Sequence, residues 1–380
     1  MTRRRLVLVG GGHVHLEVLR ATARRAFDAE LVLVSPSPRQ LYSGRMPAHL
    51  RGRIQADDLS IELHPLCRAA GVRFLEARAT RVDANARGGV VTTTNGEVAG
   101  DVISLDVGAS VAGLDTPGVA EHGFSTRPTD RWSAFVARVD ALVADGSRTA
   151  VSCCVVGAGV GGIEIAFAIH ARFSAARCIA DVTLVDAAQR ILRSWDDDAV
   201  ERVLQLLHER GIAVHLGADV AQVTANAVEL RDGRRMPADI TVWTTGAAPH
   251  GWLRQSPLAL DAAGWLRVDA TLRAVDGRAV WGAGDCVALE QAPWMPRSGV
   301  YAVRAAPVLA GNLRVAVDGS GALAEFHPQS RALALVDTAD GRALAHWGQF
   351  TAGGRWAWWL KHVIDGRYIR RYHQLYERRE

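Results

Sequence analysis

One lysine, Lys361, stands among 380 residues, so 43 of the 44 basic side chains (44 − 1) are arginines. That skew reads as a compositional bias. It leaves no lysine ammonium outside the last 28 residues. Charge of one sign is also scarce: 44 bases meet 40 acids, and the formal excess of +4 is too small to argue for a nucleic-acid partner. Five cysteines (Cys67, Cys153, Cys154, Cys178, Cys286) form no C-x-x-C pair. The adjacent Cys153 and Cys154 fall in a strand-like run, where neighbours point to opposite faces, which argues against a redox disulfide between them. No stretch shows the roughly 20 consecutive apolar residues of a membrane span. Met1 to Arg5 is basic like a signal n-region, but the apolar run after it is four residues long and ends in glycines. A reducing cytoplasm is the expectation. No metal-ligand spacing and no Ser/His/Asp arrangement is present.

The chain does have two glycine-rich loops, 147 residues apart (157 − 10). The first is Leu6-Val7-Leu8-Val9-Gly10-Gly11-Gly12-His13-Val14-His15, the second Cys154-Val155-Val156-Gly157-Ala158-Gly159-Val160-Gly161-Gly162-Ile163-Glu164. Each follows a β-branched run and opens an apolar helical stretch. Such a loop lets the backbone approach a pyrophosphate and sets its charge at a helix N-terminus. Two in tandem imply two dinucleotides on one polypeptide. The first loop departs from G-x-G-x-x-G, with His15 at the third glycine and Ser35 where a ribose-binding acid would end the second strand, 31–34. The second is complete. Its following strand, 182–185, ends in Asp186, placed to accept from a ribose diol and to repel a 2′-phosphate; NADH is favoured over NADPH, with Arg190 nearby as a counter-signal.

The spacing predicts helices over 14–26, 57–71, 161–173, 197–210 and 304–314, and hairpins turning at Asn95-Gly96 and Asp232-Gly233. Four segments are expected: 1–115 and 265–324 as two parts of one nucleotide-binding domain, 116–264 as a second inserted in it, and 325–380 as a small C-terminal α+β region.

These motifs, with Thr244-Thr245-Gly246-Ala247 and Gly284-Asp285 in order, resemble the two-dinucleotide flavoproteins of the pyridine nucleotide–disulfide oxidoreductase superfamily. The detail is similar to type II NADH dehydrogenase-like flavoproteins, above all those associated with selenide water dikinase. Tyr42-Ser43-Gly44-Arg45-Met46-Pro47, Ser104-Leu105-Asp106-Val107-Gly108 and Gly299-Val300-Tyr301-Ala302-Val303-Arg304 carry that likeness, and it makes the changes at His15 and Ser35 subgroup traits. The resemblance implies an α/β fold of two Rossmann-like, glutathione-reductase-type domains, the NAD domain inserted in the FAD domain. For FAD it implies Gly10, Gly12, His13, His15, Ser35, Tyr42, Ser43, Gly44, Arg45, Ala79, Gly108, Gly284, Asp285, Tyr301 and Ala302. Asp285 would bond the ribityl chain, and Arg45 would steady charge on the reduced ring. For NAD it implies Gly157, Gly159, Gly162, Glu164, Asp186, Gly246 and Ala247, with Glu164 near the nicotinamide.

It further implies hydride transfer from NADH to flavin, with orientation supplied by protein and chemistry by the cofactors. Electrons would pass on to an acceptor such as a quinone. A reductase serving selenium or sulfur metabolism or a soluble protein acceptor, and a slow redox-sensing flavoprotein, stay open. Trp356, Trp359, Leu360, Val363, Ile364, Tyr368, Tyr372 and Leu375 recur at helical spacing among arginines, with Gly366 expected to interrupt the helix. The segment 355–379 would either lie peripherally on the inner face of the cytoplasmic membrane or pack on the flavin domain or a homodimer partner.

Overall fold

The computed structural model describes residues 3–127 and 131–377. Two five-stranded parallel sheets organise it. In the first, Arg5–Val9 lies between Glu30–Ser35 and Val102–Leu105, with Arg73–Glu76 and Val280–Gly282 at the edges. In the second, Ala150–Val156 lies between Ile179–Asp186 and Ile240–Trp243, with Ala213–Leu216 and Gly123–Ser125 at the edges. Each glycine loop thus leaves a central strand at the point where the strand order reverses, the position at which open α/β sheets bind ligands. The chain leaves the first sheet after Leu105, builds the whole second sheet, and returns at Val280. That is the insertion topology expected.

The central strands are buried over most of their length, because both faces of a parallel sheet are covered, here by helices on one side and an antiparallel sheet on the other. Leu6, Val7, Leu8 and Val9 are fully buried. In the second sheet, Cys153 and Cys154 sit in two different cores on opposite faces, as strand alternation requires. Each sheet has an antiparallel three-stranded companion: Ala79–Asn85, Gly88–Thr93 and Gly96–Gly100 for the first; Val220–Val223, Ala227–Leu230 and Arg235–Pro237 for the second. Both expected hairpins form there.

Two expectations need correction. The helix over 57–71 is broken. Ala56–Leu59 is one turn with a capping box from Gln55 and Asp58, Ser60–Glu62 is a strand paired with Arg39–Leu41, and Leu63–Ala70 is a second helix ended by Gly71. Strand pairing outweighs the helical pattern. Gly366 does not interrupt the C-terminal helix, which runs Arg355–Glu377. A mid-helix glycine costs about 1 kcal/mol, and the packing of Tyr368, Ile369 and Tyr372 into the first core outweighs it.

That helix follows a three-stranded antiparallel sheet, Ala334–Asp337, Ala343–Trp347 and Phe350–Gly354. Its apolar residues split between two faces rather than forming one stripe. Tyr368, Ile369 and Tyr372 point inward, whereas Trp356, Trp359 and Ile364 are exposed. Arg378 and Arg379 of the expected contact segment lie outside the described residues. A further helix, Gly299–Asp318, is long and apolar enough to cross a membrane by length and composition, and half of it is buried against the protein.

Because three inward side chains complete the first core, removing the helix exposes it. Truncation after Gly354 is expected to give insoluble protein or a non-cooperative melt by circular dichroism. A soluble, cooperatively melting truncation would show that the helix is peripheral.

Candidate functional site

The first loop turns at Gly10, whose φ of +94° suits glycine. Its N–H bonds Val34 O at 2.8 Å, tying the turn to the neighbouring strand. The two histidines then diverge. His15 is buried behind the loop, with Nδ1 2.6 Å from Gly10 O and Nε2 2.8 Å from Ser104 Oγ. Burial pushes it down to about 4, so it stays neutral. His13 faces forward and meets Tyr368 Oη through Nδ1 at 2.8 Å.

The N-terminus of the helix behind this loop, His13–Arg24, is already capped. Asp106 Oδ2 accepts from Val14 N at 2.7 Å and from His15 N at 2.9 Å. The glycines close around this carboxyl: a side chain on Gly12 would collide with it, and one on Gly284 would come within 2.7 Å of Oδ1. Burial pushes Asp106 up to about 7 despite the two N–H bonds that favour its anion.

A cleft runs along the loop, with about 1260 Å³ of open space, mouth included. Gly10, Gly12, His13, Ser35, Ser43, Ala79, Gly108, Asp285 and Ala302 all line it. Gly284 and Tyr301 line a small adjoining pocket that shares Asp285 and Ala302. His15 lies behind the loop. Tyr42, Gly44 and Arg45 stand to one side: Gly44 abuts the Tyr42 ring, and the Arg45 guanidinium donates to Asp58 O at 2.6 Å. Among the lining residues that sequence reasoning missed, four are polar or aromatic groups that shape the cleft: Asp106, Arg127, His250 and Trp252. Asp106 was visible in the motif Ser104 to Gly108. Arg127, His250 and Trp252 gave no signal, because they come from connecting segments, Arg127 after the strand Gly123–Ser125 and the other two from the return crossing. Arg127 Nη1 pairs with Asp285 Oδ2 at 2.8 Å.

The second loop turns at Gly157, with φ +112°, and its N–H bonds Val185 O at 2.7 Å. A side chain on Gly162 would collide with Gly157 O, so the helix Val160–Ala175 packs directly on the loop. Gly159 and Gly246 have open space where a side chain would be. Asp186 accepts from Ala158 N at 2.6 Å and from Ala188 N at 2.8 Å. Arg190, the expected counter-signal, is turned away and paired with Asp197. Arg193 instead reaches Asp186, at 3.3 Å. Ala247 pairs with Val111, and Gly246 O accepts from Ala112 N, so this element lies where the two crossings meet.

Glu164 neither faces solvent nor serves the dipole of its helix. It accepts from Asp337 N at 2.8 Å and lies 3.6 Å from Lys361 Nζ. Lys361 in turn lies 3.5 Å from Asp365, and Tyr42 Oη donates to Asp365 at 3.0 Å. Tyr42 stacks on Tyr368 with centroids 4.8 Å apart. Contacts therefore run from His13 in the cleft wall to Glu164. Burial opposes the Lys361 cation, but the Glu164 and Asp365 carboxylates outweigh it and hold the ammonium above its usual range. Burial pushes Glu164 up to about 7 against the pull of Lys361. Burial and Asp365 hold the Tyr42 phenol well above its usual range, so it remains a donor. Among the described residues, no three His, Cys, Asp or Glu side chains are grouped to hold a metal ion.

The sequence pattern of the pyridine nucleotide-disulphide oxidoreductases matches residues 4–306. The chain belongs to this family. An NADH dehydrogenase-like protein of Mycobacterium tuberculosis is 31% identical over 295 residues, covering 75% of this chain and 73% of that protein. A type II NADH:quinone oxidoreductase of Staphylococcus epidermidis is 22% identical, covering 97% and 95%. In fold, the chain is similar to NDH2 from Plasmodium falciparum in complex with NADH, with a TM-score of 0.80, 11% identity, and coverage of 99% and 98%. It is equally similar to the sulfide:quinone oxidoreductase of Aquifex aeolicus, with a TM-score of 0.80, 17% identity, and coverage of 98% and 92%. This pyridine nucleotide-disulphide oxidoreductase is thus an enzyme with two Rossmann-like sheets, of a family that uses a flavin and a pyridine nucleotide.

The glycine cage around Asp106 can be tested directly. Gly12→Ala forces a methyl into the carboxylate and is expected to cost about 1–3 kcal/mol, the usual range for overpacking, read as a lower denaturant midpoint. Adding Asp106→Ala should recover most of it. A stable single variant would show the cage to be slack.

Proposed function

We propose that this chain is an FAD-dependent NADH dehydrogenase that passes two electrons to a quinone. The observation that carries the reading is the pair of glycine loops, each at the strand reversal of its own parallel sheet. The first-loop cleft is walled by both chain crossings. The cleft residues fit FAD: the loop offers a close backbone approach for the diphosphate, and Asp285, held by Arg127, would accept from the ribityl hydroxyls. Ser35, Ala79 and Gly108 would line the adenosine end. Gly284, Tyr301 and Ala302 would back the far side, beside Ser43 and His13. Tyr42, Gly44 and Arg45 would support the ring from the flank, and His15 would hold the turn in shape.

Gly157, Gly159 and Gly162 would hold the NADH diphosphate, and Gly246 and Ala247 its path between the sheets. The Asp186 carboxylate would meet the ribose diol and repel a 2′-phosphate. NADH is therefore the preferred donor, although Arg193 weakens the discrimination. FAD, when bound, supplies the two-electron relay. We read 116–264 as the NAD domain inserted between FAD-domain parts 1–115 and 265–324.

Quinone reduction by NADH consumes one proton beyond the hydride: NADH + H⁺ + quinone gives NAD⁺ + quinol. We assign that proton to Glu164, which pairs with Lys361 and is joined through Lys361 and Asp365 to Tyr42. Glu164 is held near neutrality, the range in which a general acid is most effective. The C-terminal unit supplies a surface for a lipid-soluble acceptor. Trp347, Phe350, Trp356 and Trp359 are 49%, 72%, 52% and 63% exposed, at a hairpin tip and the adjoining helix start. Aromatic rings of this kind favour the membrane interface, so we place the protein peripherally on the cytoplasmic face of a membrane. A homodimer is the second use of that surface.

Stopped-flow spectroscopy separates the two half-reactions. NADH should bleach the bound flavin rapidly, and a quinone should restore its colour. Glu164→Gln should leave bleaching within about twofold and slow recolouring roughly 10²-fold, the scale of general-acid catalysis. In the unsubstituted protein, recolouring should slow as pH rises above about 7, because the acid form is the donor; in Glu164→Gln it should not. Equal slowing of both phases would remove Glu164 from the proton path.

Vesicle binding tests the surface. The Trp356→Ser, Trp359→Ser double variant should lose co-sedimentation with anionic liposomes while keeping its melting temperature. If it instead shifts from dimer to monomer in sedimentation, the surface joins two copies.

A further inference from the structure

Asp106 presents a charge problem in the cleft. Its carboxyl bonds two N–H groups of the same helix N-terminus that the first loop opens. It also lines the cleft where Gly10, Gly11 and Gly12 approach the ligand. A diphosphate seated there would bring two negative charges beside a buried carboxyl. A helix N-terminus offers only about half a positive charge, and a buried site screens little.

The groups facing Asp106 do not make up the difference. On the helix, His13 and His15 are both pushed down to about 4, His13 by burial first and then by the Arg127 and Arg371 cations, so neither carries charge at neutral pH. On the turn after Val280–Gly282, burial pushes the Cys286 thiol up to about 12, leaving it neutral, and the Asp285 carboxylate adds a like charge. After the strand Gly123–Ser125, Arg127 enters this group, and Asp285 already holds it at 2.8 Å. Of the other cations lining the cleft, Arg39 is paired with Glu62 at 2.6 Å, and Arg78 stands with Ala79.

We propose that Asp106 makes FAD binding proton-coupled: the diphosphate and Asp106 share this helix N-terminus only when the Asp106 carboxyl carries a proton. Binding FAD then takes up a proton wherever the free protein has Asp106 ionised. Burial, helped by Asp285 and opposed by the two N–H bonds, raises Asp106 to about 7, and the diphosphate raises it further. The cofactor therefore binds more weakly as pH rises through neutrality. For one coupled proton the limit is a tenfold loss of affinity per pH unit, between the free and the bound pKa. The protonated carboxyl fills the space that Gly12 and Gly284 leave.

The proposal rests on the assignment of the first cleft to FAD. Dilution series of the yellow protein at pH 6 to 9, with free FAD read by its fluorescence, give the dissociation constant at each pH. It should rise roughly tenfold or more across that range, and in Asp106→Asn it should stay flat. Titration calorimetry of FAD into the stripped, unsubstituted protein provides a measure that needs no variant. Near pH 8, in two buffers of different ionisation enthalpy, it should show net proton uptake. The same pH slope in Asp106→Asn, or zero uptake, overturns the proposal while leaving the FAD assignment intact. Failure of the unsubstituted protein to hold FAD at any pH overturns both.

Discussion

A buried lysine decides how the parts of this molecule meet. An ammonium removed from water is tolerated only beside opposite charge. Lys361 finds that charge on two elements at once: Asp365 on its own helix and Glu164 on the helix of the second loop. Asp337, from the C-terminal sheet, donates its N–H to Glu164. Tyr42, from the first sheet's side, donates to Asp365. Four segments thus converge on one cation. Displacing the helix of Glu164 would leave the buried cation short of a partner, a loss of several kcal/mol; displacing Tyr42 or Asp337 would remove a donor from one of its carboxylates. The cluster therefore holds the inserted sheet in a fixed position against the first, and hydride transfer between two bound nucleotides needs such a fixed distance.

The two loops reach similar backbone shapes by different means. In the second, Gly162 lets the helix sit on the turn, and the carboxylate of Asp186 braces the loop through Ala158 N. In the first, His15 stands at that position. It spans from Gly10 O to Ser104 Oγ, and Asp106 caps the helix from the neighbouring strand's end. A histidine and an acid together take the place of a glycine. The exchange brings a titratable group into the site, which a glycine cannot do.

This contrast also shows what was legible in the sequence. The parallel sheets, the insertion and both turns could be read because strand–glycine–helix spacing is local and periodic. Most of the expected first-cleft residues line the cleft for the same reason: they lie on or beside those turns. Contacts made by chain crossings were not legible. Arg127 and Trp252 belong to connecting segments whose course depends on the packing of both sheets. Glu164 could be placed on its helix but not aimed, because its partner lies 197 residues away (361 − 164). The solitary lysine was in plain view, but no local pattern around it points to Glu164 as its partner. Gly366 misled for the opposite reason: a local helix-breaking preference of about 1 kcal/mol is small beside the burial of Tyr368, Ile369 and Tyr372.

The fold leaves the electron acceptor open, since quinone-linked enzymes of different chemistry share it; the cysteines narrow it. A sulfide-oxidising relay needs a thiolate that can reach the flavin. All five thiols are buried. Cys286, the one nearest a cleft motif, donates to Leu105 O and Ala283 O instead, and burial raises it to about 12. A thiol so placed is a packing group with a weak hydrogen bond, and it does not ionise near neutral pH. Electrons entering as hydride then have no sulfur to pass through, and they must leave to an acceptor that comes to the protein. The exposed tryptophans of the C-terminal unit and the role proposed for Glu164 suit an acceptor that is apolar when it arrives and protonated when it leaves.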